Sequence, residues 1–203
     1  MINHSRLAWI LDLLVEHKLL HAGQKTDVLN RGPEQARHIM LDKRAEMRRL
    51  LGKQRVSYTV SEVEIIASFR FRPFEGELGD GESLISERVI TKLIAEELGM
   101  TFREIDPIQL DYKLVTEAFG GPFAERHMII AVDETPEELT VGIADPWNTD
   151  ALAQVERFKR KRVTPVLALK SAILQAIAEF HGFRRSMKAA AKEFSSDLPD
   201  LGN

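Results

Sequence analysis

An aspartate at the end of an apolar strand can hold the magnesium ion of a nucleotide site. Asp145 stands just past the apolar run LTVGI, residues 139–143, and Pro146 follows at once. A phosphate-hydrolysing site of the P-loop type also needs G-x-x-x-x-G-K-[ST] upstream, so that backbone N–H groups cradle the phosphates and a hydroxyl reaches the metal. The Gly-Lys pair of this chain is Gly52-Lys53, with Gln54 where Ser or Thr is required and Met47 where the first glycine belongs. Without that loop, Asp145-Pro146 reads as a corner that turns the chain out of a buried strand. Asn148 or Thr149 then caps a helix beginning near Asp150.

Two histidines four residues apart, His17 and His21, could share a helix face and offer two imidazoles to a metal. A catalytic zinc pair wants H-E-x-x-H, but Lys18 follows the first histidine and no third ligand accompanies the pair, so solvent-facing histidines near a helix end are expected. His127 in AERHMII has no serine or cysteine nucleophile motif beside it, which argues against a triad. The run Lys159 to Arg162 could grip phosphate, but no aromatic residues interleave it as a base-stacking surface requires. At an αβ junction it reads as a solvated turn favoured by a helix C-terminal dipole. No catalytic constellation, cofactor site or metal site is expected in this chain.

With 203 residues and 44% hydrophobic content, the chain can support one large domain or two small ones. A formal charge of -3 supplies no global field for nucleic acid or an anionic membrane. Cysteine is absent, which excludes disulfides, thiolate zinc sites and iron–sulfur clusters. No apolar run reaches the length of a spanning helix, and the N-terminus lacks the cleavage site of a signal peptide. A cytoplasmic compartment is expected.

The pattern predicts an α+β chain, with a helical N-terminal subdomain over 1–75 and an α/β subdomain over 82–182. A small sheet of about three strands, flanked by helices, is expected in the second. Ser5 could cap a first helix on which Leu7, Ile10, Leu11 and Leu14 recur at helical spacing. A short second helix is expected over Gln24–Leu29, stopping near Gly32-Pro33, and a third from Pro33 to about Gly52. Ser61 could cap a fourth. PFEGELGDG, residues 73–81, reads as a linker or long loop. Beyond it, Ile85, Val89, Ile90, Leu93, Ile94 and Leu98 mark an amphipathic helix closed by Gly99. Residues 128–132 and 139–143 read as a hairpin, 149–158 as a helix, 163–169 as a third strand and 172–180 as a packed final helix. Residues 183–203 lose the pattern and read as a linker toward a longer protein.

The first helix leaves little polar surface, with apolar residues at 7, 9, 10, 11, 13, 14 and 15. Such a helix is buried in its own domain or in a partner's groove. Leu7, Ile10, Leu11 and Leu14 are the partner-binding candidates.

Several elements occur in an order that resembles a known family. ELGMTFREIDP is followed by FAERHMIIAV, LTVGIADPWNTDAL and VTPVLALKSAILQAIAEFHG. Over residues 83–182 the chain is similar to the N-terminal domain of the ATPases of type II secretion and type IV pilus assembly, the bacterial general secretory pathway protein E family. The resemblance implies a non-catalytic regulatory domain of a larger hexameric ATPase, with ATP and magnesium held only by a core outside this sequence. It further implies docking of the first helical subdomain on the cytoplasmic domain of the L platform protein, which would place the chain peripherally at the inner membrane.

Some relatives bind cyclic di-GMP through a helical motif built on R-L-G. Leu13, Leu14, Val15, Leu19, Leu20, Gln24, Val28 and Leu29 follow its apolar skeleton. In that register the motif's arginine falls on Trp9, its first glycine on Leu11, its second on Lys18 and its last glutamine on Gly32. No intact second copy is visible in 52–71. The expectation is that the motif's fold persists and its nucleotide site is lost. A cyclic-di-GMP receptor is the alternative function.

Overall fold

The computed structural model describes residues 2–52, 58–75, 78 and 81–180. It divides into two compact units, Met1–Phe102 and Arg103–Asn203. Among the described residues there are eight α-helices and one three-stranded sheet, an α+β composition. The expected segment 183–203 lies outside the described residues.

The first unit holds α1 (His4–Glu16), α2 (Ala22–Leu51), α3 (Glu62–Ser68) and α4 (Glu87–Glu97). Asn3, not Ser5, is the N-cap of α1. Its Oδ1 accepts from the Arg6 N–H at 3.1 Å, and its own N–H donates to Glu62 Oε1 at 2.8 Å. That second bond ties the start of α1 to the start of α3. Ser61 caps α3 as expected, in a reciprocal box with Glu64. Glu64 is 5% exposed and also accepts from the Tyr58 hydroxyl. Burial and the Glu64 charge raise the Tyr58 pKa far above its ordinary value.

The two helices expected over 24–29 and 33–52 are one 30-residue helix, α2, which runs through Pro33. Proline removes the bond to the carbonyl four residues back and crowds the residue before it. Here the residue before is Gly32, which has no Cβ for the proline ring to strike. Gly32 is buried, and a Cβ added there would lie 3.3 Å from Ile65 Cγ2 of α3. The bared carbonyl belongs to Leu29, a residue 37% exposed. Local turn chemistry is therefore outweighed by burial of Val28, Met47 and Leu51 along the same helix. Helix α4, placed by composition after the loop at 73–81, packs against α1 and α3 and so lies in the first unit.

The second unit holds α5 (Tyr112–Glu117), α6 (Gly121–His127), β1 (Ile129–Glu134), β2 (Glu138–Ile143), α7 (Thr149–Lys159), β3 (Arg162–Leu167) and α8 (170–180). Strands β1 and β2 pair antiparallel with Ile129 opposite Ile143, and the register shifts between Ala131 and Asp133. Strand β2 pairs parallel with β3, Leu139 opposite Val163, so α7 is the crossover. Ile129, Ile130, Leu139, Val141, Ile143, Val155, Ile173 and Ile177 are buried in this unit. Gly142 faces the side chains of Ile130 and Val132, where an added Cβ would approach to 3.1 and 3.2 Å. Helices α5 and α6, six and seven residues long, were not expected. They are too short to display a 3.6-residue repeat.

Candidate functional site

Asp145 is a corner. Its Oδ1 accepts from the Trp147 N–H at 2.9 Å, and its carbonyl accepts from the Asn148 N–H at 3.1 Å. This is the short-range turn bonding that aspartate favours. Asn148 occupies the N-cap position of α7, but its side chain makes no cap bond. The amide instead reaches back to His127, 3.4 Å from both the ring Nδ1 and the carbonyl oxygen. The strand end is thus braced against α6 by a contact that the spacing of 21 residues conceals.

His17 and His21 sit on different helices. His17 is the C-cap of α1, while His21 is the N-cap of α2 and accepts from the Gly23 N–H at 3.0 Å through Nδ1. Gln24 Oε1 returns a bond from the His21 N–H at 3.0 Å, closing a capping box with histidine in the place of serine. Both histidines are exposed.

The basic run is matched by acid from the hairpin. Lys161 lies 2.9 Å and Lys159 3.7 Å from Glu134, and Arg162 lies 2.6 Å from Glu138. The hydrogen bond from Lys161, aided by Lys159, holds the Glu134 carboxyl below its ordinary pKa. Thr164, then Arg162, does the same for Glu138. These cations are spent on the β1–β2 hairpin, and Arg160 is the left-handed C-cap of α7.

The four partner-binding candidates are core residues. Leu7 and Ile10 are 1% exposed, and Leu11 and Leu14 are 0% exposed. Helix α1 packs on α2, α3 and α4. Of the two fates open to so apolar a helix, burial in its own unit is the one observed.

The positions of the cyclic-di-GMP motif give a mixed answer. Leu11 is buried, Trp9 is half-buried, and Gly32 is occupied by packing on Ile65. Lys18, at the motif's second glycine, has φ of 57°. It sits where a glycine usually ends a helix: Leu19 N–H bonds to the Leu14 carbonyl at 2.9 Å and Lys18 N–H to the Val15 carbonyl at 3.0 Å. Its side chain lies 2.9 Å from Glu75. The same ending recurs after α3, where Arg70 has φ of 54° and bonds to the Ala67 carbonyl at 3.0 Å. The chain that follows the second ending returns to the first, since Phe74 N–H bonds to the Leu19 carbonyl at 2.9 Å and Glu75 N–H to the Lys18 carbonyl at 3.0 Å. Sequence had hidden this second helix ending, because Arg70 shows no glycine to mark it.

Residues 98–187 match the family model described as the MshEN domain. This part of the chain is similar to the MshEN domain. It begins one residue after α4 ends and takes in every described element of the second unit.

A stretch of 114 residues, 56% of this chain, is 26% identical to the type IV pilus assembly ATPase TfpB of Acinetobacter baylyi. The match spans 20% of that relative's length. A solved structure of MshE with cdg, cyclic di-GMP, is similar over 84% of this chain and 97% of that one, with 15% identity and a TM-score of 0.52. The likeness to MshE is one of fold. The N-terminal domain of XpsE is similar over 44% of this chain and 63% of that one, with 23% identity and a TM-score of 0.38. Within the matched residues, β2, the Asp145 corner and α7 form one continuous unit, so the ADP tripeptide of residues 144–146 is a turn. Among the described residues, no helix is long and apolar enough to cross a membrane.

Proposed function

We propose that this chain is the N-terminal regulatory and docking region of a secretion or pilus assembly ATPase. The observation that carries the reading is the likeness of residues 98–187 to the MshEN domain. The partial likeness to a pilus assembly ATPase supports the same placement. In this reading ATP and magnesium belong to a hexameric core elsewhere in the longer protein, and this region contributes no catalytic residue. Its partner is the cytoplasmic domain of the inner-membrane platform protein, which holds it at the membrane. Because Leu7, Ile10, Leu11 and Leu14 are core residues, docking uses exposed side chains of the helical unit.

A second reading, a cyclic-di-GMP receptor, is favoured by one feature. The Lys18 backbone retains the left-handed conformation of the motif's glycine, in a fold that is shared with MshE. Against it stand Trp9 and Leu11 at the motif's arginine and first glycine. Calorimetry separates the two. The chain is titrated with the platform protein's cytoplasmic domain in one cell and with cyclic di-GMP in another. Micromolar binding of the protein with no nucleotide heat supports docking. Saturable nucleotide heat that a Trp9→Ala change alters supports the receptor, and silence from the protein removes the docking reading.

A further inference from the structure

The middle of α2 borders a groove of about 430 Å³ that residues 58–60 close on the other side. Its apolar lining includes Ala36, Met40, Val60 and the ring of Tyr58, whose hydroxyl is engaged by Glu64. Two cations also line it, Arg37 and Arg44, and among the described residues no carboxylate does. A neighbouring cavity of about 360 Å³ in the same unit is different, since Glu64 and Glu87 there balance Lys43 and Arg70.

Arg37 is exposed, and among the described residues no ion pair or hydrogen bond holds its side chain. The Nε of Arg44 is shut off from solvent and has no hydrogen-bond partner among them. A buried guanidinium N–H without an acceptor is costly, and a carboxylate is the acceptor whose geometry fits the guanidinium fork.

The spacing sets the shape of the ligand. Arg37 and Arg44 are seven residues apart on one helix, so they stand about 10.5 Å apart along its axis. An extended chain rises about 3.3 Å per residue and turns alternate side chains to one face, so two carboxylates four residues apart share a face about 13 Å apart, a separation that the two long arginine side chains can reach. A helical ligand is about 10–12 Å wide with its side chains and overfills a groove of this volume. The side chain between the two carboxylates would lie over Ala36 and Met40, and methionine adapts readily to an apolar partner.

We propose that this groove binds an extended acidic segment of a partner protein. Two carboxylates four residues apart pair with Arg37 and Arg44, and the apolar residue midway between them, on the same face, seats on Ala36 and Met40. The inference stands apart from the docking reading, because it requires only a peptide of this chemistry.

The test is fluorescence anisotropy of the whole chain with a labelled peptide, glycine–glutamate–serine–leucine–serine–glutamate–glycine. Saturable binding is expected, weakened roughly tenfold by Arg37→Gln and by Arg44→Gln, the scale of one charge-assisted bond. A peptide with both glutamates replaced by glutamine should bind at least tenfold more weakly. Arg49→Gln, a charge change on α2 outside the groove, should leave affinity within about twofold. Arg37 is exposed, so its variant reports on binding even if Arg44→Gln weakens the fold. The proposal is overturned if no saturable change appears, if the neutral peptide binds as well, or if Arg49→Gln costs as much as Arg37→Gln. Displacement of the peptide by micromolar tripolyphosphate would make the groove a phosphate site and overturn the peptide assignment.

Discussion

The Nδ1 of His127 lies 3.4 Å from the side-chain amide of Asn148, joining the end of α6 to the start of α7. The ring also packs on Phe123, 4.4 Å between centroids. For the amide to donate, Nδ1 must carry no proton, so the contact suits the neutral imidazole. Burial first, and then the Arg126 guanidinium, pushes the His127 pKa below the usual 6.5. The unfolded chain then binds the proton more readily than the folded one. Stability from this group is complete above about pH 6.5 and is lost as the pH falls from there toward the lower folded value. The urea midpoint should drop between about pH 7.5 and 5.5, and the drop should be smaller in His127→Gln. A ring titration by NMR at or above the usual 6.5 would refute the assignment.

Leu11 is 0% exposed on α1, and its truncation should cost about 2–5 kcal/mol of unfolding free energy. Urea denaturation followed by circular dichroism measures that loss. Binding to any partner of the helical unit should then fall with the folded fraction and recover when a stabilising condition restores the fold. A Leu11→Ala protein that keeps its stability but loses its partner would return this residue to a docking surface.

What could be read in advance followed the length and periodicity of each element. The three strands were legible because their apolar runs are short, rich in Val and Ile and bounded by turn residues, and each is six residues long. The Asp145 corner was legible because Asp-Pro is local chemistry. Contacts across long separations were not, such as Asn148 on His127 and Asn3 on Glu62. Periodicity showed that Leu7, Ile10, Leu11 and Leu14 share a face, and it is silent on whether that face meets its own chain or another. Gly32-Pro33 misled because the same pair that often ends a helix also relieves the clash that proline imposes on its predecessor. The groove of Arg37 and Arg44 was invisible because residues 58–60 supply its second wall.

Lys161 binds the Glu134 carboxylate at 2.9 Å and also donates to the Thr135 carbonyl at 2.6 Å. Glu134 therefore stays ionised in the folded chain at a pH that would protonate it in the unfolded one. That stability is present above the ordinary carboxylate pKa and lost as the pH falls through the lower folded value. Lys161→Met should raise the Glu134 pKa, which a carboxyl-carbon titration would register. The pair is partly exposed, so the stability cost at neutral pH should stay within about 1 kcal/mol. An unchanged Glu134 titration in the variant would show that Lys159 alone sets it.

Pro33 lies in the twelfth position of α2, and the helix continues for eighteen residues beyond it. Replacing it with alanine restores a donor for the Leu29 carbonyl and removes the ring from the preceding turn. Proline in a helix interior costs about 3 kcal/mol relative to alanine, but it also restricts the unfolded chain, an effect of about 0.4–1 kcal/mol in the opposite sense. Because Gly32 already relieves part of the clash, the net gain for Pro33→Ala should fall at roughly 1–2 kcal/mol. It should appear as a higher urea midpoint with an unchanged slope. The amides around the substituted position, from Leu29 to Arg37, should also exchange more slowly in the variant. If the midpoint falls instead, the proline ring makes packing contacts in the native helix that outweigh the bond it forfeits.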